Sequence, residues 1–181
     1  LSIFNNSNDS LGSYLYFGKS RGTALSADTI VQDGDVVGGM EWVAADGTDR
    51  ASRIAGIYGA VDGTPGANDT PGELTFYTTA DGANSGTQRM VIKADGKVGI
   101  GTSAPVEMLE VYNAASPAMQ LNDGGDYQAI MRLAGNDLEI RGSSGVMEFY
   151  NGSADGDSST LRMVIKAGGN IGIGTNDPGH L

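Results

Sequence analysis

An internal repeat constrains the fold of this chain more than any other feature of its sequence. Residues 89–102 read RMVIKADGKVGIGT and residues 162–175 read RMVIKAGGNIGIGT, so the second copy follows the first at an offset of 73 residues. The similarity extends over 72–105 and 145–178, where about half of the positions are identical without a gap. Repeats of this kind form modules that stack along an axis. The chain is therefore predicted to be modular and elongated.

Within each module the sequence favours short β-strands. Residues 76–79 (FYTT) and 90–92 (MVI) are rich in aromatic and β-branched side chains, which are typical of strands. Asp-Gly pairs favour tight turns between such runs. These pairs occur at Asp33-Gly34, Asp46-Gly47, Asp62-Gly63, Asp81-Gly82, Asp95-Gly96, Asp123-Gly124 and Asp155-Gly156.

Two further segments complete this prediction of secondary structure. Residues 130–133 and 138–140 flank Asn136-Asp137 and predict a β-hairpin. Only residues 106–115 have a pattern compatible with a short helix, and 109–112 fits a strand equally well. The predicted class is all-β, with little or no α-helix.

The repeated hairpin is expected to turn at Asp95-Gly96, a pair that suits a two-residue connection. Such a turn places Ile92 opposite Gly99 and Val91 opposite Ile100. Both sides of the hairpin are then apolar, and a two-stranded hairpin cannot bury both by itself. Sister chains could cover both sides and approach closely at the glycines. A hairpin inside an ordinary monomeric β-sandwich is the alternative.

The two hairpins therefore supply a predicted core between chains and predicted sites of close backbone approach. Arg89 and Arg162, which begin the hairpins, are candidates for ion pairs with a neighbouring chain's carboxylates. The predicted core residues are Met90, Val91, Ile92, Val98, Ile100, Met163, Val164, Ile165, Ile171 and Ile173, and the close-approach glycines are Gly99, Gly101, Gly172 and Gly174.

The composition also favours assembly and excludes several functions. The chain has 29 Gly among 181 residues, 7% aromatic residues and no Cys. A chain with so little bulky material is poorly suited to form a core alone, and oligomerisation is a common remedy. The lack of Cys excludes disulfides, thiol catalysis and Cys-based zinc sites. The net charge of −11 opposes binding to nucleic acid and to anionic membranes, and no apolar run is long enough to span a membrane.

The repeated motif resembles a known family. The pattern Arg-Met-x-Ile-x-x-x-Gly-x-Val/Ile-Gly-Ile-Gly-Thr, followed by Pro105 or Pro178, is similar to repeats of bacteriophage tail fibres. Such segments often precede a self-cleaving intramolecular chaperone at the C-terminus of a fibre. Residues 19–22, 31–38 and 61–72 resemble the start and middle of a common fibre module. The resemblance covers 14–112 well and 145–181 again, whereas 113–144 departs from it.

This resemblance implies both an architecture and a role. It implies an elongated homotrimeric fibre of the β-prism or intertwined triple β-helix type, part of a phage tail virion outside the cell. The implied partners are two identical chains, other tail or fibre proteins, and a bacterial surface glycan or protein receptor. It supplies no catalytic residue and no cofactor.

The chain is further expected to be a piece of a longer polypeptide with three parts. Residues 1–24 are predicted to be an N-terminal connecting segment, 25–105 a first β-module and 106–181 a second module that is cut short at its C-terminus. Attachment to the host without catalysis is the expected function. A glycan-degrading depolymerase of the tailspike type and a bacterial surface adhesin, or a prophage remnant of one, are the alternatives.

Several motifs mimic catalytic or ligand sites. Residues 99–104 (GIGTSA) look like a dinucleotide-binding fingerprint, but Pro105 follows at once and no convincing helix is predicted. The Asp-rich turns at 123–126 and 155–157 have oxygen ligands for Ca²⁺ but lack the spacing of an EF-hand. Solvated turns explain them better, and no metal site is predicted.

Other candidates are single residues. His180 is the only histidine and has no partners for a catalytic triad. Asp49 and Asp69 are no more suggestive of a glycosidase pair than any other two of the 22 acidic residues. Trp42 and Tyr58 could stack on sugars at a receptor site, although in a chain with few aromatic residues a core position is the stronger expectation.

Overall fold

The computed structural model describes residues 12–122, 128–134, 137–142, 145–151 and 160–179. Over these ranges it contains twelve β-strands, arranged in open sheets, and no helix. The predicted all-β class is thereby confirmed. The chain divides into two compact units, Leu1–Tyr112 (unit 1) and Asn113–Leu181 (unit 2).

Unit 1 contains a six-stranded sheet whose strands lie in sequence order. The first five strands are antiparallel neighbours, and the sixth pairs parallel to the fifth. The sixth strand lies within 106–115, so the strand alternative for this segment is correct and the helix is not. The strands are β1 (Val36–Ala44), β2 (Ser52–Val61), β3 (Gly72–Thr78), β4 (Thr87–Ile92), β5 (Val98–Ile100) and β6 (Leu109–Val111).

Unit 2 contains two three-stranded antiparallel sheets. The predicted hairpin around Asn136-Asp137 is confirmed, because β8 pairs with β9 from Ala129↔Gly142 to Ala134↔Asp137. Asn136 itself lies outside the described residues. The first sheet consists of β7 (Ala118–Asn122), β8 (Gln128–Ala134) and β9 (Asp137–Gly142), and the second of β10 (Met147–Asn151), β11 (Thr160–Ile165) and β12 (Ile171–Ile173).

The sequence repeat is also a structural repeat. Strands β11 and β12 begin and end 73 residues after β4 and β5. Strand β10 pairs with β11 as β3 pairs with β4. Residues that correspond in the two copies of the repeat therefore form the same three-stranded arrangement in both units.

The connection within the repeated hairpin is longer by one residue than the sequence suggested. The Lys93 N–H donates to the Lys97 carbonyl at 2.9 Å, so three residues form the loop. Gly96, the last of them, has φ +86°, a left-handed conformation that favours glycine in this turn. The predicted register was wrong for this reason. The observed partners are Met90↔Ile100, Val91↔Gly99 and Ile92↔Val98, and the second hairpin matches with Met163↔Ile173, Val164↔Gly172 and Ile165↔Ile171.

The observed register gives the hairpin one inner side, where the core of each module lies. Val91 and Val164, both predicted for a core between chains, are 0% exposed and lie within the chain itself. Val91 lies opposite Gly99 on the neighbouring strand, and Val164 lies opposite Gly172. A Cβ on Gly99 would lie 2.7 Å from the Thr102 carbonyl oxygen, because the segment after β5 folds back over this side. Close approach at this glycine therefore comes from the same chain.

This packing predicts a difference between two glycines of unit 2. In Gly172→Ala the new methyl group would meet the Thr175 carbonyl oxygen and the Val164 side chain, whereas in Gly168→Ala it would meet open space. We expect Gly172→Ala to lower the free energy of unfolding by about 1–3 kcal/mol, as overpacking does, and Gly168→Ala to change it little. Urea titrations at equal protein concentration measure both. Equal stability of the two variants would contradict the close packing at Gly172.

Candidate functional surfaces

One side of the unit 1 sheet, the apolar face, carries continuous rows of apolar side chains. Cross-strand partners lie on the same side of a sheet, so the register defines the rows. Neither row contains a charged residue, and none of their apolar side chains is fully buried. The first row is Met40, Ile57, Phe76, Met90, Ile100 and Val111, and the second is Gly38, Gly59, Leu74, Ile92, Val98 and Leu109.

The sheets of unit 2 each have a comparable face. In β10–β12 it consists of Met147, Ile165 and Ile171 in one row and Phe149, Met163 and Ile173 in the other. All six lie 73 residues after members of the unit 1 rows, and all six positions are apolar in both copies. In β7–β9 the row Met119, Met131 and Ile140 is also exposed.

These faces are candidate surfaces for association. Isolated exposed apolar side chains are ordinary, but contiguous apolar patches are typical of interaction sites. Ile100 is 43% exposed and Ile173 is 80% exposed. Eight of the ten predicted core residues lie on the apolar faces, namely Met90, Ile92, Val98, Ile100, Met163, Ile165, Ile171 and Ile173.

The opposite side of the unit 1 sheet, the polar face, holds an aromatic and charged cluster. The Tyr58 hydroxyl donates to Glu41 Oε1 at 2.6 Å, and the same oxygen lies 2.9 Å from Arg53 Nη2. Partial burial and the hydrogen bond to Glu41 raise the pKa of Tyr58, while that hydrogen bond lowers the pKa of Glu41. The Tyr77 ring meets the Tyr58 ring edge to face, with centroids 5.3 Å apart. Tyr58 is thus held in place from several sides.

A groove of about 360 Å³ runs along this polar face. Its lining combines the two tyrosine rings with hydroxyl and charged groups. Thr75 in its wall is only 2% exposed. The lining side chains include Arg53, Tyr58, Glu73, Thr75, Tyr77 and Ser85.

Beside the groove, Lys93 bridges two carboxylates. Its Nζ lies 2.5 Å from Asp62 Oδ1 and 2.6 Å from Glu73 Oε2, and all three side chains are largely shielded from solvent. Burial alone would lower the pKa of Lys93, but the hydrogen bonds to Asp62 and Glu73 outweigh it and raise that pKa. Burial likewise opposes ionisation of Asp62, yet the hydrogen bonds from Lys93 and the Ala94 N–H lower its pKa. Both shifts favour the ionised cluster at neutral pH.

The repeat supplies a matched test of this cluster. Lys166 corresponds to Lys93, but Val146 stands where the first copy has Glu73, and Asp62 lies before the start of the repeated region. We expect Lys93→Ala to lower the free energy of unfolding by about 1.5–3 kcal/mol, because charged hydrogen bonds are lost, and Lys166→Ala to lower it by less than about 0.5 kcal/mol.

Urea titrations over a pH series check this prediction. A carboxyl whose pKa falls on folding contributes stability above its unfolded pKa and loses it as the pH falls through its folded pKa. The difference between Lys93→Ala and Lys166→Ala should therefore shrink in acid. A difference that is absent at pH 7, or that grows in acid, would contradict the stabilising role of the cluster.

The other sequence candidates are scattered over the molecule. The register places Trp42 on the side of the sheet that carries the apolar rows, opposite to Tyr58. Its side chain is 48% exposed. Asp49 and Asp69 lie in separate turns, where they bond to Ala51 and Gly66. Arg89 donates to the Thr78 hydroxyl at 2.9 Å, and its pairing with another chain stays a prediction, as does that of Arg162.

Metal and membrane sites have no support within the described ranges. No group of three potential ligand residues comes together there. The Asp-rich turns at 123–126 and 155–157 and His180 lie outside these ranges. Where the structure describes the chain, it has no helix of the length and apolarity needed to cross a membrane. Residues 99–104 lead into Pro105 and a strand, without the helix that a dinucleotide site requires.

No protein-family model matches the chain, and no curated protein matches it in sequence. The chain is similar to a solved phage tail fibre. The match is the carboxy-terminal domain of the bacteriophage T5 L-shaped tail fibre with its intramolecular chaperone domain, at 10% identity and a TM-score of 0.48; it covers 100% of this chain and 64% of that one. A second structure, of the carboxy-terminal domain of the bacteriophage T5 L-shaped tail fibre, matches at 9% identity and a TM-score of 0.43, covering 100% of this chain and 93% of that one.

The chain thus spans less than two thirds of the first of these structures. At such identities no residue role carries across from the fibre.

Proposed function

We propose that the chain is a structural, non-catalytic part of a phage tail fibre that attaches the virion to a bacterial surface. It acts as a parallel homotrimer of the elongated prism or triple-helical type, in which the apolar faces of three sister chains form a shared core. Its other partners are further tail or fibre proteins and a surface receptor. It works outside the cell, on the virion.

The exposed apolar faces are the observation that carries this proposal, although Phe17 of the same chain packs against the unit 1 face at Gly38. Burying one large apolar side chain contributes about 1.5–3 kcal/mol, and each chain exposes rows of them on all three sheets. Where one face of a sheet meets water, the residues on that face are normally polar. The rows on the apolar faces contain no polar side chain. All six positions are apolar in both copies of the repeat, as expected if this surface is buried against sister chains in both modules.

The other features agree with a fibre. The repeated motif resembles those of tail fibres, and a repeat supports an extended shape. The net charge of −11 keeps an exposed assembly soluble, while the uncharged faces are where equally charged chains can approach one another.

The mass in solution tests the assembly directly. Sedimentation equilibrium should give three times the chain mass of 18.6 kDa at micromolar concentration. A stable particle of one chain at this concentration would overturn the trimer.

Chemical crosslinking gives a second measurement, because the natural chain has no Cys. A thiol at Ile100→Cys, on the apolar face, should react with a short bis-maleimide to link two sister chains, since three copies of one face converge in a threefold assembly. A thiol at Ser85→Cys, on the polar face, should remain unlinked. The covalent dimer is read from a denaturing gel. Linking at Ser85→Cys but not at Ile100→Cys would mean that the polar face, and not the apolar face, lies between the chains.

A further inference from the structure

We propose that the groove on the polar face of unit 1 binds a neutral saccharide. The groove would then be the place where the fibre contacts a glycan of the bacterial surface. This second step rests on the proposed function, whereas the binding chemistry rests on the groove alone.

Two glycines allow Tyr58 to cover the sheet at this place. A Cβ on either Gly39 or Gly56 would lie 2.5 Å from the Tyr58 ring. The ring therefore packs directly over the backbone of β1 and β2. The Tyr77 ring from β3 stands at 86° to it, and both rings line the groove. An aromatic surface of this kind suits the apolar C–H side of a sugar ring, as aromatic side chains offer large contact area with a polar edge.

The aromatic surface is fixed before any ligand binds. Glu41 accepts from the Tyr58 hydroxyl and pairs with Arg53, whose guanidinium lies 6.0 Å from the Tyr58 ring centroid. A side chain that is already immobile loses little entropy on binding, which favours affinity. This arrangement differs from the exposed aromatic residue Trp42 on the other side of the sheet.

Hydrogen-bonding groups border the rings. Glu73 and Ser85 line the groove and offer an acceptor and a hydroxyl to sugar hydroxyls. The Tyr77 hydroxyl makes only a long hydrogen bond of 3.4 Å, to Gln88 Oε1. In the described part of the chain, Gln88 Nε2 is the one enclosed side-chain nitrogen or oxygen without a partner. An apolar surface with a few convergent polar groups and a volume of several hundred Å³ is typical of a small-molecule site.

The charges select a neutral ligand. Arg53, the cation that lines the groove, is already paired with Glu41, and Lys93 next to it is paired with Asp62 and Glu73. No unpaired cation among the lining residues is left for a sugar acid. The net charge of −11 also repels anionic polysaccharides. Neutral sugars therefore fit the groove better than uronic acids or phosphosugars.

The second module does not keep two of the lining residues of the groove, which lies on the side that the proposed assembly leaves open. Glu73 and Thr75 correspond to Val146 and Glu148 in the second copy, although the apolar face keeps its character there. The second module thus keeps its apolar face without keeping these groove residues, so the groove residues are not needed for the apolar face to form. In the proposed trimer the apolar face points to sister chains, so the groove on the polar face stays open to solvent.

An array of immobilised bacterial surface polysaccharides, neutral and acidic, tests the proposal with the wild-type protein. We expect binding to at least one neutral polysaccharide. Tyr77→Ala should weaken that binding by at least about tenfold, since a central aromatic anchor is lost. Tyr150→Ala is the matched control, because Tyr150 lies 73 residues after Tyr77 and is exposed; it should bind as the wild type does.

Tyr58→Phe provides a second readout. It keeps the ring but loses the hydrogen bond to Glu41, so binding should weaken less than in Tyr77→Ala. The mass of each variant in solution shows that assembly is retained. Binding only to acidic polysaccharides, binding to none, or equal binding by Tyr77→Ala and wild type would each overturn the proposal. Any of these results with an intact trimer leaves the proposed assembly standing, whereas a single-chain particle counts against the assembly itself.

Discussion

A carboxylate at each of the two matched positions Ile100 and Ile173 should turn a three-chain particle into single chains. The double variant Ile100→Asp/Ile173→Asp adds two charges to the apolar faces of every chain. In a trimer six carboxylates would lose water without partners and would repel one another, and each like-charge contact costs several kcal/mol. We expect the mass from sedimentation equilibrium to fall from three chains to one.

The repeat again supplies a matched control. Ser103 and Asn176 are also 73 residues apart, and both are exposed in the segments that follow β5 and β12. The variant Ser103→Asp/Asn176→Asp adds the same charge to each chain but should stay trimeric. Dissociation of this control would mean that net charge, rather than the apolar face, governs assembly. A trimeric Ile100→Asp/Ile173→Asp would exclude the apolar faces as the shared core.

The strand pattern of the chain could be predicted because it depends on local signals. Apolar runs such as Met90–Ile92 and Asp-Gly turns lie within a few residues of one another, and the repeat fixes their correspondence between modules. The paired strands β8 and β9 were predictable for the same reason.

The register of the repeated hairpin could not be read from the same signals. An Asp-Gly pair suits two-residue loops, but glycine with a positive φ also ends a three-residue loop, and Gly96 does so here. One extra loop residue changes which side chains share a face. The sequence suggested apolar residues on both sides of the hairpin, whereas the structure places Met90 and Ile92 outside and Val91 over Gly99.

The groove depends on contacts that are distant in sequence. Trp42 and Tyr58 were equal candidates for a sugar site by residue type, and only the register across β1 and β2 separates them to opposite sides. The pairing of Tyr58 with Glu41 and with Tyr77 joins three strands. A weak signal was present, because Gly39 and Gly56 interrupt strands in which larger residues would be favoured.

The two sides of the repeated hairpin should respond differently to charge, and Val91→Asp is the variant with the largest expected effect on folding. Val91 is fully buried inside the chain, so its replacement leaves a carboxylate without water or a partner. Such a charge costs about 3–5 kcal/mol, a large part of the roughly 5–15 kcal/mol that stabilises a domain. We expect unit 1 to lose its cooperative unfolding transition at pH 7, as measured by circular dichroism during heating.

Two further variants make the result interpretable. Val43→Asp puts the same group at a 53% exposed position opposite Arg53, in the edge strand of the same sheet, and should be nearly neutral. Val91→Thr keeps the volume but buries a hydroxyl, and should cost an intermediate amount of about 1–3 kcal/mol. Burial raises the pKa of the introduced carboxyl, so the penalty in Val91→Asp should shrink as the pH falls below that pKa. Equal stability of Val91→Asp and Val43→Asp would show that Val91 is not in the core of its own chain. The repeated hairpin would then not have one side packed within the chain and the other side facing sister chains.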